Sequence, residues 1–224
     1  MPERRADDPP VRLYLASTSP ARLATLRAAG VEPAGLISPG VDEDALVESL
    51  TSSRGPLSAA EMVAELARAK AEAVVGRLVE GEPIDGFILG GDSAFEIDDV
   101  VHGKPHRDEV ARERWKAMRG RSGVLHSGHW LIDHRGGVPA LGVGRVEDAV
   151  VEFADDVSDA EIDAYIATRE PLSVAGAFTI DSRGQAYIRT IDGHPSTVIG
   201  LSVPALRSLL REGFGVEWHR LWNR

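Results

Sequence analysis

The chain is predicted to be α/β, or mixed α+β, built on a mixed sheet, and three observations carry that expectation. Buried-strand runs such as "FILGG" and period-two stretches such as "VEDAVVEFA" are interspersed with segments whose apolar residues recur every three to four positions. Two S-x-x-E capping boxes, Ser58 with Glu61 and Ser158 with Glu161, mark helix starts. Strands and helices do not alternate with the regularity of a doubly wound fold, which argues for a mixed sheet. A length of 224 residues suffices for one domain or two closely packed lobes around a sizeable core.

The elements follow in order. Residues 1–10 are charged and Pro-rich and read as a loose tail, leaving 11–224 as the folded part. Tyr14, Leu15 and Ala16 read as the end of a buried strand. Ser19 is the natural N-cap of the next helix, Pro20 suits its first turn, Leu23 and Leu26 give it a buried side, and Gly30 ends it. "LISPGVDEDAL" leads through Pro39 and Gly40 into an acidic cluster, and "LTSSRGPLS" reads as a loop. The helix opened by Ser58 is expected to run through "AAEMVAELARAKAEAVVGRL". "GFILGGDSAFEI" holds a buried-strand run, a double glycine and then Asp92. "GKPHRDEVARERWKAMRGRSG" holds a loop and an amphipathic helix with Val110, Trp115 and Met118 inward. Two strands flank a turn at "DHRGG", "VEDAVVEFA" reads as one long strand, and the second capping box opens "SDAEIDAYIAT". "AGAFTID" and "QAYIRTI" read as a pair of strands, and Pro204 opens a last helix with Leu206, Leu209 and Leu210.

Composition excludes several function classes. The formal net charge of −10 argues against a general nucleic-acid or acidic-membrane binder, which needs a basic face. It leaves an anionic small molecule open, because a pocket needs only a few local cations. The absence of cysteine excludes disulfides, thiol catalysis and Cys-ligated zinc. "MPERRADDPPVR" lacks an apolar run, so neither a signal peptide nor an anchor is expected, and no other segment approaches membrane-spanning length. A cytoplasmic location is the expectation.

A few residues suggest chemistry. Ser17, Thr18 and Ser19 before a helix carrying Arg22 read either as a capped helix or as an anion site with free N–H groups and a forked cation. Lys70 falls on the apolar stripe of Val63, Leu66, Ala73 and Val74, where a lysine either snorkels to the rim or reaches an anion in a cleft. Asp92 ends the "FILGG" run, with glycines beside it to admit a ligand. It is either a turn residue capping the next segment or a carboxylate where open α/β sheets place catalytic groups. Glu43 sits in an acidic cluster whose ordinary reading is a solvated loop, and Lys104 lies in the turn "HGKP". Together these residues can clamp a polyphosphate, hold a divalent cation and activate a water. Carboxylates with phosphate oxygens suit Mg²⁺ or Mn²⁺ rather than zinc. "HSGH", with His126 and His129, reads as strand and turn, and no H-E-x-x-H, GxSxG or P-loop pattern is present.

Read in order, these motifs resemble the Maf family of nucleoside triphosphate pyrophosphatases, once named for septum formation, from about Leu13 to Leu210. "LASTSPARLATL" is similar to the family's L-A-S-x-S-P-R-R-x-x-L-L, "VDE" to its acidic motif, "LARAKA" to A-x-x-K-A, and "GGDSAF" followed by "GKP" to G-A-D-T-V-V and its sequel. "AGAFTID" and "IDGHPSTVIGLSVPAL" resemble the closing A-G-A-Y-x-I-Q and I-x-G-x-x-x-x-V-x-G-L-P stretches. The resemblance implies two lobes around a long mixed sheet with a central cleft. It also implies cleavage between the α and β phosphates, with a divalent cation and a homodimer as the family's habit. It puts Ser17, Ser19 and Arg22 at the phosphates, Glu43 and Asp92 at the metal and water, and Lys70 and Lys104 on the triphosphate.

Departures from the pattern bear on the substrate. The first Arg of the S-P-R-R pair is Ala21, the threonine of G-A-D-T is Ser93, a motif histidine is Gly123 although Arg121 remains, a lysine is Val174, and the glutamine is Asp181. Asp181 and Ser93 are therefore the candidates for contact with the base, which is pyrimidine, modified or, in a further reading, purine. "AGAFTID" with "GLSVP" resembles the actinobacterial branch. The competing function is a catalytically weak nucleotide-binding protein acting in cell division, with Ala21 and Gly123 as its marks.

Overall fold

The computed structural model describes residues 11–222, so the expected tail at 1–10 lies outside the described residues. Strand β1 (Leu13–Ala16) is buried at every position, and helix α1 (Pro20–Ala28) follows it. The Ser19 hydroxyl accepts from the Arg22 N–H at 3.4 Å, Pro20 occupies the first turn, and Gly30 follows at φ +79°, the left-handed exit that glycine tolerates best. Strand β2 (Gly35–Leu36) then pairs parallel with β1.

Two expectations fail in the next segment. Helix α2 (Glu43–Arg54), capped by Asp42, takes in the first five residues of "LTSSRGPLS", so the loop is confined to residues 55–58. None of its residues is buried, so it has no apolar stripe to announce it. Helix α3 (Ala59–Glu72) has the expected capping box but stops short of "AVVGRL". Gly76, at φ +78°, turns the chain there, and the remainder forms the small antiparallel pair β3 (Leu78–Val79) and β4 (Glu82–Pro83).

Strand β5 (Gly86–Ile97) runs for 12 residues, so Asp92 lies in its middle and does not end it. Nor do the neighbouring glycines simply leave space for a ligand. A Cβ at Gly90 would stand 2.2 Å from the Ala67 carbonyl, because α3 packs its backbone directly on the sheet. Gly128 serves the same contact, at 2.2 Å from the Val63 carbonyl. Strand β6 (Val100–His102) folds back on the end of β5, and helix α4 (Asp108–Met118) buries Ala111, Trp115 and Met118 while Val110 is half-buried. Strands β7 (Ser122–His134) and β8 (Gly142–Phe153) form the expected long hairpin around "DHRGG". His126 and His129 both lie within β7, with no turn between them.

Helix α5 (Asp159–Ala167) has the second capping box. The expected strand pair beyond it is only half present. "AGAFTID" forms a 3₁₀ turn at Ala175–Ala177 and then irregular chain, and "QAYIRTI" becomes strand only at β9 (Ile188–Asp192). Phe178 packs instead into an aromatic cluster with Phe95 and Phe153, ring centroids 5.1 and 5.0 Å away, which overrides its strand propensity. Helix α6 (Pro195–Ile199) and helix α7 (Val203–Ser208) follow, with Leu206, Leu209 and Leu210 buried as expected and a 3₁₀ turn at Trp218–Leu221 beyond.

The main sheet orders these strands β2-β1-β5-β7-β8-β9, parallel at β2-β1-β5 and antiparallel beyond, with β6 beside β5. It is the expected mixed sheet. One detail positions the site. β1 ends at Ala16 opposite Gly90, and β6 begins pairing only at Phe95. Residues 91–94 of β5 therefore have no strand neighbour on that edge, which leaves a notch at the C-terminal end of a parallel strand. Among the described residues, no helix is long and apolar enough to cross a membrane.

Candidate active site

Two groups of side chains meet at this notch, one on each face of β5. Alternation along a strand sends Gly91 and Ser93 to one face and Asp92 to the other.

Arg22 occupies the first face. It is buried, and its guanidinium donates from Nε to the Gly200 carbonyl at 2.8 Å, from one terminal nitrogen to the Ser17 hydroxyl at 3.3 Å and from the other to the Ser93 hydroxyl at 3.1 Å. Ser17 also accepts from the Ser19 N–H at 3.1 Å, so the strand-to-helix turn and Arg22 form one network. Burial lowers the Arg22 pKa, while Asp92 and Glu43 raise it. Its direct partners are all neutral oxygens, so its charge stays available to an anion at the start of α1.

Lys70 occupies the opposite face. The stripe of α3 carries it inward as the spacing predicts, but it does not snorkel to solvent. It is buried, and its Nζ lies 2.6 Å from Asp92 Oδ1 and 2.8 Å from Glu43 Oε1. Glu43 is the first residue of α2, half-exposed, and so belongs to a helix start beside the notch rather than to a solvated loop. Asp92 is buried. Burial pushes its pKa up, the Lys70 and Arg22 cations pull it down, and the net shift is upward. Its Oδ1 is held by Lys70 and its Oδ2 accepts no hydrogen bond from the described residues.

The sequence candidates thus divide. Ser17, Ser19, Arg22 and Ser93 share one network, and Glu43, Lys70 and Asp92 share another. Lys104, in the loop after β6, and Asp181, in the loop before β9, are exposed and take part in neither. Gly123 lies on β7 where a Cβ would stand 2.3 Å from the Phe95 ring, so packing excludes a side chain there. Arg121 is exposed and paired with Asp98.

Three contributors escape sequence reasoning. The Gly200 carbonyl is a backbone group with no side-chain signal. Ser127 braces the Ser93 hydroxyl at 3.0 Å and donates to the Thr197 carbonyl at 2.8 Å. His129 is buried, accepts the Ser202 N–H at Nε2 (2.8 Å) and donates from Nδ1 to the Arg145 carbonyl (3.3 Å). Burial holds its pKa down at about 4, with Arg22 adding to the depression, so it is neutral at ordinary pH. A serine and a histidine within the long strand β7 were the only signals for the last two.

Cation fit rests on the donors. Among the described residues no three acidic or imidazole groups converge as a ready-made metal cage. Glu43 and Asp92 do converge on one point, which Lys70 Nζ occupies. Two hard carboxylates that leave the remaining positions to phosphate oxygens and water suit Mg²⁺ or Mn²⁺.

Comparison with known proteins identifies the family. The family model described as Maf-like protein matches residues 12–213. A protein of Leifsonia xyli subsp. xyli named nucleoside triphosphate pyrophosphatase is 64% identical over 214 residues, 96% of this chain and 98% of its own length. Proteins of the same name from Salinispora tropica and Rhodococcus opacus are 49% and 47% identical, over 96% and 93% of this chain and 89% and 94% of their own. The similarity to an actinobacterial relative agrees with the branch expected from "AGAFTID" and "GLSVP".

Proposed function

This chain belongs to the Maf-like protein family, and on that premise we propose how the notch beside Asp92 performs the family's reaction. The chain is a hydrolase of nucleoside triphosphates, yielding the monophosphate and pyrophosphate. This enzymatic reading is favoured over that of a weakly catalytic nucleotide-binding protein in cell division. The observation that carries the site assignment is Lys70 bridging Asp92 and Glu43 at 2.6 and 2.8 Å, opposite a buried Arg22 whose charge meets only neutral oxygens.

Each residue then has a task. Arg22 and the N–H groups and hydroxyls from Ser17 to Ser19 hold phosphate oxygens at the start of α1. Ser17 and Ser93 keep the guanidinium fork aimed. Asp92, its pKa raised by burial, takes a proton on its free oxygen from the water that attacks the α phosphorus. The new bond forms from that oxygen to phosphorus, and the bond from the α phosphorus to the bridging oxygen breaks to release pyrophosphate. Lys70 offsets charge that grows on the leaving group, and we assign the same task to Lys104 on its exposed loop. Glu43 and Asp92 would hold a divalent cation, Mg²⁺ or Mn²⁺. When bound, it neutralises triphosphate charge and lowers the pKa of water.

Asp181 and Ser93 are the proposed determinants of the base, pyrimidine or modified. Ser93 is already engaged with Arg22 and Ser127, which leaves Asp181 as the more accessible of the two. We further read residues 11–224 as one Maf-like domain of two lobes, cytoplasmic and homodimeric, with no nucleic-acid or membrane partner.

The test is pyrophosphate release from a panel of nucleoside and deoxynucleoside triphosphates with Mg²⁺, with Mn²⁺ and with a chelator. Asp92→Asn is expected to lose about 10³-fold in kcat while melting as cooperatively as the parent. Undiminished turnover in that variant would sink the assignment of Asp92.

A further inference from the structure

Glu170 lies outside both networks, yet its carboxylate collects five donors. Oε1 accepts from the Thr179 hydroxyl at 2.5 Å, the Tyr165 hydroxyl at 3.0 Å and the Gly184 N–H at 3.2 Å. Oε2 accepts from the Ser182 hydroxyl at 2.9 Å and the Arg183 guanidinium at 3.2 Å. Burial works to raise its pKa, but the bonds from Thr179, Ser182, Gly184 and Tyr165 outweigh it and hold the group at about 2. Glu170 is therefore ionised throughout the working range.

Four of those donors come from residues 179–184, a stretch that is neither strand nor α-helix. A single side chain takes the place of the ladder that "AGAFTID" lacks. The stretch closes around it tightly. A Cβ at Gly184 would stand 2.5 Å from the Thr179 carbonyl and 2.6 Å from the Tyr165 hydroxyl. Asp181 sits inside this stretch, exposed, between Thr179 and Ser182, whose hydroxyls both bind Glu170.

The neighbours of Glu170 hold a second loop. The Leu172 carbonyl accepts the His106 N–H at 3.1 Å, and Arg169 pairs with Asp108 at 2.6 Å. Lys104 is two residues before His106. Arg169 and His106 both have left-handed backbones, at φ +67° and +58°, which non-glycine residues keep only where surrounding contacts over-determine them. One short segment, residues 169–172, thus ties together the loops that carry Lys104 and Asp181.

We propose that Glu170 is a positioning residue for nucleotide binding, fixing the stretch that presents Asp181 and, through its chain neighbours, steadying the Lys104 loop. The proposal rests on the reading of Asp181 and Lys104 as nucleotide contacts. Glu170 itself touches neither phosphate nor base. Its loss therefore weakens substrate binding and blurs base preference, while the chemistry at Asp92 continues.

The experiment is a double-mutant cycle on the full chain, with kcat and KM measured for each triphosphate of the panel. Glu170→Gln keeps the shape but turns one acceptor into a donor facing Ser182 and Arg183. It is expected to raise KM about tenfold, to lower kcat by less than that through the loosened Lys104 loop, and to shift the ratio of kcat/KM between bases. In an Asp181→Ala background the same substitution should leave that ratio where Asp181→Ala alone puts it. Ser182→Ala, which removes one donor and keeps Glu170, should move KM and the ratio in the same direction by less, and it carries the test if Glu170→Gln does not fold. A ratio that Asp181→Ala leaves untouched overturns the underlying assignment of Asp181. A ratio that Asp181→Ala moves, but that the Glu170 or Ser182 variant moves independently or not at all, overturns the role of Glu170 alone.

Discussion

Arg22 and Lys70 are both buried cations beside Asp92, on opposite faces of one strand, and they are paired in opposite ways. Arg22 meets a carbonyl and two hydroxyls, and Lys70 meets two carboxylates. A buried cation with neutral partners keeps its field for an incoming anion. A buried cation between carboxylates has its field taken up by them, and here Lys70 opposes the upward push that burial gives Asp92. The first arrangement favours binding and the second favours chemistry. A triphosphate needs both at once.

The comparison breaks most sharply at Lys70. Lys70→Met leaves Asp92 buried without its ion partner and is expected to destabilise the fold by roughly 3 to 5 kcal/mol at neutral pH. Burial already raises the Asp92 pKa, and losing Lys70 raises it further. The native state of the variant then binds a proton that the unfolded chain does not, so the deficit should shrink as pH falls toward the unfolded carboxylate range. Chemical denaturation at several pH values checks the sign. A deficit independent of pH would mean that Lys70 acts by packing alone.

The Arg22 face titrates the other way. His129 has its pKa held down at about 4 against an ordinary value of 6.5, so its contribution is fully present above the unfolded value and is lost as pH falls through the folded one. That interval corresponds to about 3 kcal/mol. His129→Gln should flatten the fall in melting temperature between neutral pH and pH 4, and an unchanged slope would remove His129 from the account.

Smaller effects sharpen the contrast. Arg22→Lys retains the charge but not the fork, and should raise KM by roughly thirtyfold with little change in kcat, matching about 2 kcal/mol of lost hydrogen bonding. A loss confined to kcat would instead place Arg22 with the chemistry. At the far end, Arg27→Ala removes an exposed pair with Glu32, and neither melting nor turnover should move.

Much of this was legible in the residues. Both capping boxes, the Ser19 cap and the buried strand of Leu13–Ala16 were readable because each depends on neighbours within one turn or on a continuous apolar run within one strand. α2 escaped because it buries nothing, and "AGAFTID" misled because aromatic packing on Phe95 and Phe153 outweighs local strand preference. The motifs also identified Arg22, Glu43, Lys70 and Asp92 as candidates, but not how they meet.

The sequence by itself determined the mixed α/β class, the inward stripe that carries Lys70, and the residue types able to hold phosphate and a hard cation. Only the tertiary structure decided that Lys70 faces Asp92 and Glu43, that Arg22 is anchored by a carbonyl 178 residues away, and that β5 runs past β1 to open the notch. The physical reason is range. Caps and periodicities are set by groups a few residues apart, whereas the partner of a buried charge is whatever group the folded chain brings alongside it, from any distance in sequence.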